Sequence, residues 1–532
     1  MMALIIWALS FTAQAQTGDF EWKQLETFGG AANDFALRME VDADSNVYLA
    51  GLIRDSIRIG GQLYESAGKN DLILMKLLPS GAVDWVQVLG GTDNDAAYAM
   101  TIGVSGSLYL SGYFNNEITV GGSSYQSLGQ SDVFLAKFSP EGNPIWCRTW
   151  GSTGLDGGWS MDAVPGGGVF LGGDFRGEMI MGDDTLVSSG QTDGFLAIVE
   201  ADGTVGWATS FGGQGQERVV DLVVDPAGDV FGVGYYTQEM LVEGDSISWS
   251  GGRDFFAMKW NSLGYVQWIT TGQSPAQDDA HRCVADENGN FYVAGNHRDS
   301  LVIQGRTLPW SGGGDFDGLL IKLDPSGDLL WTHTLTDTAR GAYRSLVSVN
   351  EDYLIVGGDQ AINGDAEILI QSFNRDGELL HADTLINAGA DYSYVLDWRH
   401  DRLYMGGVFQ GSLGMDSLSA TSAGGYDLFL AVTDAMEIED GGNTGLVDQA
   451  SLDWRIYPNP TSGNFSIQLE RPLQQPAKLS LLNLQGSVLW QREISPAQDL
   501  LEVAIPSIPT GLYLLQLRTE EQVYAELIRI KK

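Results

Sequence analysis

The chain's most regularly spaced reactive side chains are acidic. Asp34, Asp95, Asp156, Glu217, Asp279 and Asp391 sit at matching places of successive segments, and only Gly341 interrupts them. A second series, Asp71, Asp132, Asp193, Asp254, Asp317 and Asp427, falls between, with Glu367 standing in for a missing member. Carboxylates so placed can accept backbone N–H groups of their own turns. They can also hold a hard cation such as Ca²⁺ with carbonyl oxygens, or act in pairs as acid and base on a glycosidic bond. Recurrence in nearly every copy favours the turn role, since a single functional site needs one copy. Asp42-x-Asp44-x-Asn46 and Asp286-x-Asn288-x-Asn290 resemble half a calcium loop but lack a Glu at the twelfth position. These six residues are the metal candidates; Ca²⁺ is the one ion they suit, and otherwise no cofactor is expected.

Aromatic residues beside the first series follow no repeat: Phe35, Tyr98, Trp159, Tyr343, Tyr392 and Tyr394. A packing role would recur in every copy, whereas aromatic faces beside carboxylates suit the C–H faces and hydroxyls of sugars. The candidate ligand set is therefore Asp34, Asp95, Asp156, Glu217, Asp279 and Asp391 with Tyr98, Trp159, Tyr343 and Tyr394. Trp249 and Trp310 are further candidates for exposure. The five histidines form no His-x-x-x-His pair, and no Gly-x-Ser-x-Gly or Gly-x4-Gly-Lys-Ser/Thr occurs. Zinc, serine-hydrolase and P-loop chemistry thus have no local support, and no catalytic residue is assigned.

A long repeat positions these residues. Trp22, Trp85, Trp146, Trp207, Trp268 and Trp331 follow one another at steps of 63, 61, 61, 61 and 63 residues. Between them recur a glycine-rich turn, an apolar strand, a Val-Tyr-Leu-Ala-Gly-like strand, an insert, an Asp-led strand and a Ser-Gly turn. Copy six lacks most of the insert, and copy seven has His381 in the Trp place and ends at Asp434. Four period-2 strands per unit predict the blade of a propeller. With the Trp strand outermost, copy seven ends one strand short, and Phe20–Phe28 is left over at the start. The expected fold is all-β: a seven-bladed β-propeller over residues 16–434, closed by the N-terminal strand, with no open edge at the seam.

These units resemble the SBBP-type propeller repeats of secreted bacterial proteins, which implies seven blades and little about ligand. An acidic linker, 435–452, follows. Residues 453–532 carry Asn-Pro, Gln-Gly and Pro-Thr-Gly turns between alternating strands, the pattern of a small C-terminal β-sandwich. Tyr457-Pro-Asn-Pro-Thr-Ser-Gly463, Asn483-Leu-Gln-Gly486 and Ile508-Pro-Thr-Gly-Leu-Tyr513 resemble the C-terminal sorting domain of the type IX secretion system of Bacteroidota. The resemblance implies export across the outer membrane by that machinery, then removal of the tail and release or surface attachment.

Composition agrees with an extracellular protein. The chain has 69 glycines and a formal charge of −40. From Asp453 onward 8 acids balance 8 bases, so the repeat region holds the entire excess. Such a surface repels nucleic acid and anionic lipid. Residues 1–15 read as a secretory signal, although a basic start is missing, and no apolar run is long enough to span a bilayer. Cys147 and Cys283 lie at different places of the unit and are expected as free, buried thiols. These features point to an exported, non-catalytic binding module for glycan or another extracellular macromolecule. The alternatives are an extracellular polysaccharide-acting enzyme that uses ring carboxylates and a structural surface component.

Overall fold

The computed structural model describes residues 20–433 except 226, 313–315, 336–340, 350–351, 363–364 and 388, together with strands between residues 454 and 530. The expected leader (1–15) and linker (435–452) lie outside the described residues, as do most of the three tail motifs. The chain divides into two compact units, Met1–Glu439 and Asp440–Lys532.

In the first unit the described strands are all antiparallel and recur as four-stranded sets. The first sheet runs Phe35–Val41, Val47–Ile53, Asp71–Leu77, Val83–Leu89 in both sequence and space. Five more sheets repeat that order. The seventh is built from Asp391–Arg399, Arg402–Phe409 and Asp427–Thr433, and its fourth strand is Trp22–Phe28. That N-terminal strand pairs Leu25 with Ala431 and Phe28 with Leu428. Phe20 and Trp22, each 2% exposed, pack with Met405, Phe409 and Phe429. No described sheet closes on itself.

The first strands of the sheets, here called inner strands, are Phe35–Val41, Asp95–Ile102, Gly157–Ala163, Glu217–Val224, Asp278–Ala285, Gly341–Val349 and Asp391–Arg399. Each touches the next, and the seventh touches the first. Sheets stacked this way bury both faces of their middle strands. Asp132–Phe138 and Val169–Phe175 are accordingly buried throughout and read as continuous apolar runs rather than alternating ones.

The repeated Trp locks neighbouring sheets together. Trp85, Trp146, Trp207, Trp268 and Trp331 sit on outer strands and donate Nε1–H to a turn of the following sheet: Pro140 O, Ala201 O, Ser262 O, Pro325 O and Arg375 O, at 2.9–3.3 Å. Each indole covers a glycine of that turn. Gly142, Gly264 and Gly377 have φ near +80°, and a Cβ would stand 2.7–2.8 Å from the ring. His381 takes the Trp place in the sixth sheet. The seventh sheet has no such turn, because its outer pair, Asp427–Thr433 and Trp22–Phe28, comes from opposite ends of the unit.

Hairpin inserts emerge between the second and third strands, for example Ser56–Ile59 with Gln62–Glu65 and Glu117–Val120 with Ser123–Gln126. Bridges Gly29–Arg58 and Gly90–Thr119 lay them against the end of the preceding sheet's outer strand. In the second unit, Trp454–Tyr457, Asn464–Leu469 and Leu500–Ala504 form one sheet. Val488–Ile494, Ala477–Leu482, Gly511–Arg518 and Val523–Ile530 form the other. Phe465, Ile467, Leu479, Leu481, Leu501 and Leu515 fill a shared core.

Candidate functional site

Every inner strand carries a β-bulge three residues after the acidic place, which Gly341 fills in the sixth sheet, at Leu37, Tyr98, Trp159, Val220, His281, Arg344 and Tyr394. A bulge leaves one residue unpaired and re-aims its side chain. It also lifts a carbonyl over the second strand. A Cβ on Gly51, Gly112, Gly173, Gly234, Gly295, Gly358 or Gly407 would collide with the carbonyl oxygen of Phe35, Ala96, Gly157, Arg218, Asp279, Ala342 or Tyr392. This explains the glycine repeated in that strand. The residue after each glycine stands beside the bulge: Leu52, Tyr113, Asp174, Tyr235, Asn296, Asp359 and Val408. Chemistry therefore varies among sheets at three places: the residue after the acid, the bulge and the residue after the glycine.

The bulge register corrects two candidates. Asp278, not Asp279, holds the acidic place of the fifth sheet: its N–H donates to Arg253 O as that of Asp95 does to Asn70 O. Asp279 stands one residue on and pairs with Arg253 at 2.7 Å. In the sixth sheet Arg344 occupies the bulge. Tyr343 is fully buried in the core with its hydroxyl on Gln371, so it is no surface contact.

The acids lie beneath this face. Asp34, Asp95, Asp156, Glu217 and Asp391 are at most 2% exposed. Asp34, Asp95 and Asp156 accept the N–H of Arg54, Asn115 and Arg176 at 3.1, 3.0 and 2.8 Å, and Glu217 accepts that of Gly213 at 2.8 Å. The second series clasps its own loops: Asp71, Asp132, Asp254 and Asp427 accept N–H groups four residues earlier at 2.6–3.0 Å. Members of the two series meet at sheet junctions, where Asp71 Oδ1 and Asp95 Oδ2 lie 2.5 and 3.0 Å from the place of a Gly90 Cβ. Burial, with the neighbouring carboxylate adding, pushes Asp34 and Asp95 up to about 7 and Glu217 and Asp278 up to about 8.

The half-loops of the metal candidates are hydrogen-bonded turns. Asp42 accepts the N–H groups of Asp44 and Asn46 and the Asn46 amide at 2.8–2.9 Å. Asp286 does the same with Asn288 and Asn290, and Tyr292 donates its hydroxyl at 3.0 Å. Their lone pairs are thereby taken by the chain itself. Among the described residues no three His, Cys, Asp or Glu side chains are grouped to hold a metal ion.

The bulge Trp159 lies in a cleft of about 290 Å³ between the second and fourth sheets. Its lining includes Tyr113, Asp174, Arg218 and Tyr235, all at the varying places, together with Asp156 of the acidic series and the polar side chains of Asn94, Asn115 and Gln216. Arg218 lies 3.9 Å over the Trp159 ring and 2.9 Å from Asp174, to which the indole N–H also donates. Tyr98 packs on Trp159 with centroids 4.5 Å apart, and Tyr113 follows at 5.8 Å. Next along the face, Arg253 covers Tyr235 at 4.1 Å. Burial pushes His281 down to about 4, so the ring is neutral at pH 7 and its Nε2 accepts from Asn296 Nδ2 at 2.8 Å. Of the expected ligand residues, Asp156 and Trp159 line the cleft and Tyr98 packs on Trp159, while Tyr113, Asp174, Arg218 and Tyr235 were not among those expected. The position following each repeated glycine would have pointed to three of those four.

Residues 455–531 match the family of secretion system C-terminal sorting domains. The chain is a type IX export substrate. It is delivered to the cell surface or beyond it. No helix of the described residues is long and apolar enough to cross a membrane. No curated protein sequence matches the chain. Among solved structures, a polysaccharide lyase of family PL25, an ulvan lyase, is similar with 11% identity and a TM-score of 0.42, over 75% of this chain and 97% of that one. The Trypanosoma rangeli sialidase gives 9% and 0.35 over 94% and 85%, and Drosophila Semaphorin 2a gives 7% and 0.37 over 94% and 97%.

Proposed function

We propose that the first unit is a seven-bladed propeller closed by Trp22–Phe28, and that it serves outside the cell as a non-catalytic glycan-binding module. The cyclic contact of seven inner strands and the pairing of the N-terminal strand with Asp427–Thr433 support the ring. One observation carries the binding reading: three aromatic side chains and an arginine braced by a carboxylate, drawn from places that differ among otherwise repeating sheets, line one cleft. Aromatic faces take the C–H surface of a pyranose, and the braced guanidinium and carboxylate serve its hydroxyls. Two carboxylates line the cleft and both are engaged, which favours binding over hydrolysis: Asp156 accepts the N–H groups of Ser152 and Arg176, and Asp174 holds Arg218 and the Trp159 indole. The test is affinity electrophoresis of the full chain through gels that each hold one polysaccharide, with calcium and then with EDTA. Retardation by one polymer without its shortening supports the reading. Shortening of the polymer replaces it with an enzyme, and free migration through all gels points to a structural role.

A further inference from the structure

The same face carries a second aromatic cluster, on the sixth and seventh sheets. Tyr392 directly follows the acidic place, Tyr394 is the bulge residue, and their rings stack with centroids 5.9 Å apart and planes at 11°. Tyr426, beside Asp427 on the adjoining loop, lies 6.1 Å from Tyr392 and 6.0 Å from Phe35. Arg344 reaches over the pair, 5.5 Å from Tyr392 and 5.9 Å from Tyr394, while its Nε donates to the buried carboxylate of Asp359. The three tyrosines and Arg344 are partly exposed, whereas the strand residues that flank Tyr392, Tyr394 and Arg344 are buried. Asp359 and Asp174 hold equivalent places, so the braced arginine over aromatic rings of the cleft occurs twice.

Charge restricts what such a surface can take. Arg218, Arg253 and Arg344 are each matched by a carboxylate, Asp174, Asp279 and Asp359, and the chain carries −40 overall. The arginines that stack on these rings are thus engaged with carboxylates rather than held for a uronate or sulfate, and the long-range field repels an anion. Hydroxyls and C–H faces remain as the chemistry the face can satisfy.

We propose that Tyr392, Tyr394 and Tyr426, braced by Arg344, form a second stacking platform for the same uncharged polysaccharide chain that fills the Trp159 cleft. This rests on the glycan-binding reading of the cleft. Two platforms joined by one ligand raise affinity by effective concentration, so binding tightens once a chain is long enough to reach both. The experiment takes the full chain, selects among xyloglucan, galactomannan, laminarin and hydroxyethyl cellulose by gel retardation, and titrates size-graded oligosaccharides of the retained polymer. Alginate and polygalacturonate serve as charged probes.

The wild type should show affinity rising with length, and the Tyr392→Ala/Tyr394→Ala variant should lose that rise, about tenfold for long chains, while binding short ones as before. Tyr392→Phe/Tyr394→Phe keeps the rings and should keep the rise, which separates stacking from folding. Trp159→Ala should weaken short and long chains alike. An unchanged length dependence in the double alanine variant overturns the second platform while the cleft stands. A preference for the charged polymers overturns the assigned ligand class. Wild-type binding that Trp159→Ala leaves intact overturns the cleft reading and this proposal with it.

Discussion

Glu217→Gln tests whether the buried acids at the sheet junctions are held protonated by their surroundings. Glu217 is fully buried, donates nothing when ionised, and has one oxygen on Gly213 N–H while the other has no hydrogen-bond partner. Burial, with Asp193 adding, raises its pKa from 4.5 to about 8. A folded-state pKa above the unfolded one means that the native chain binds the extra proton between those values. The stability it contributes is complete below pH 4.5 and is lost as pH rises through 8. At 1.36 kcal/mol per pH unit the rise corresponds to ~5 kcal/mol. Glutamine keeps the shape and an oxygen for Gly213 but needs no proton. Calorimetric melts between pH 4.5 and 8.5 should show the wild type losing stability as pH rises, since Asp34, Asp95, Asp278 and Asp391 act in the same direction. The variant should melt close to wild type at pH 5 and several degrees above it at pH 8.5. A variant destabilised equally at both pH values would refute the reasoning, because the carboxylate would then be ionised and in use. If calcium raised the wild-type melt at pH 8.5 but not that of the variant, the junction would be a cation site instead.

Three further expectations follow from the packing. Gly264→Ala, at φ +85° with its Cβ 2.8 Å from the Trp207 ring, should lower stability by ~2–3 kcal/mol. Gly61→Ala, at φ +84° with nothing within 4 Å, should cost only ~1 kcal/mol, and chemical denaturation separates the two. Deleting 20–28 strips the seventh sheet of its fourth strand and the Phe20 and Trp22 contacts, so proteolysis of the first unit should accelerate sharply; wild-type resistance would sink the closure model. Asp42→Ala removes a hydrogen-bonded turn and should cost ~1–2 kcal/mol to the same extent with calcium or with EDTA, read as thermal midpoints.

Much of the strand plan was legible because its causes are local. The Trp spacing marks outer strands, since each indole must meet a turn glycine one unit further along. The spare strand at Phe20–Phe28 was legible from the phase of the repeat. The site was less so. A bulge changes which residue faces out, and alternation alone cannot show it, so Arg344 rather than Tyr343 reaches the surface; Asp278 and Asp279 are adjacent acids, and only the strand pairing tells which one holds the recurring place. The regular acids drew attention by recurring, yet recurrence reflects a turn requirement shared by all sheets. Apart from Asp156, the cleft's charged and aromatic lining comes from places that vary, and Asp174 and Arg218 meet only because adjacent sheets bring the second strand of one against the inner strand of the next.

The most direct measurement compares Trp159→Ala with Trp85→Ala in the same polysaccharide gels, alongside their melting curves. Trp85 covers the Gly142 turn, whereas Trp159 lies in the cleft. The predicted result is loss of retardation for a Trp159→Ala chain that still melts cooperatively, and a lowered melt with retained retardation for Trp85→Ala. Retardation of Trp159→Ala equal to wild type would contradict the assignment of this face as the glycan-binding surface.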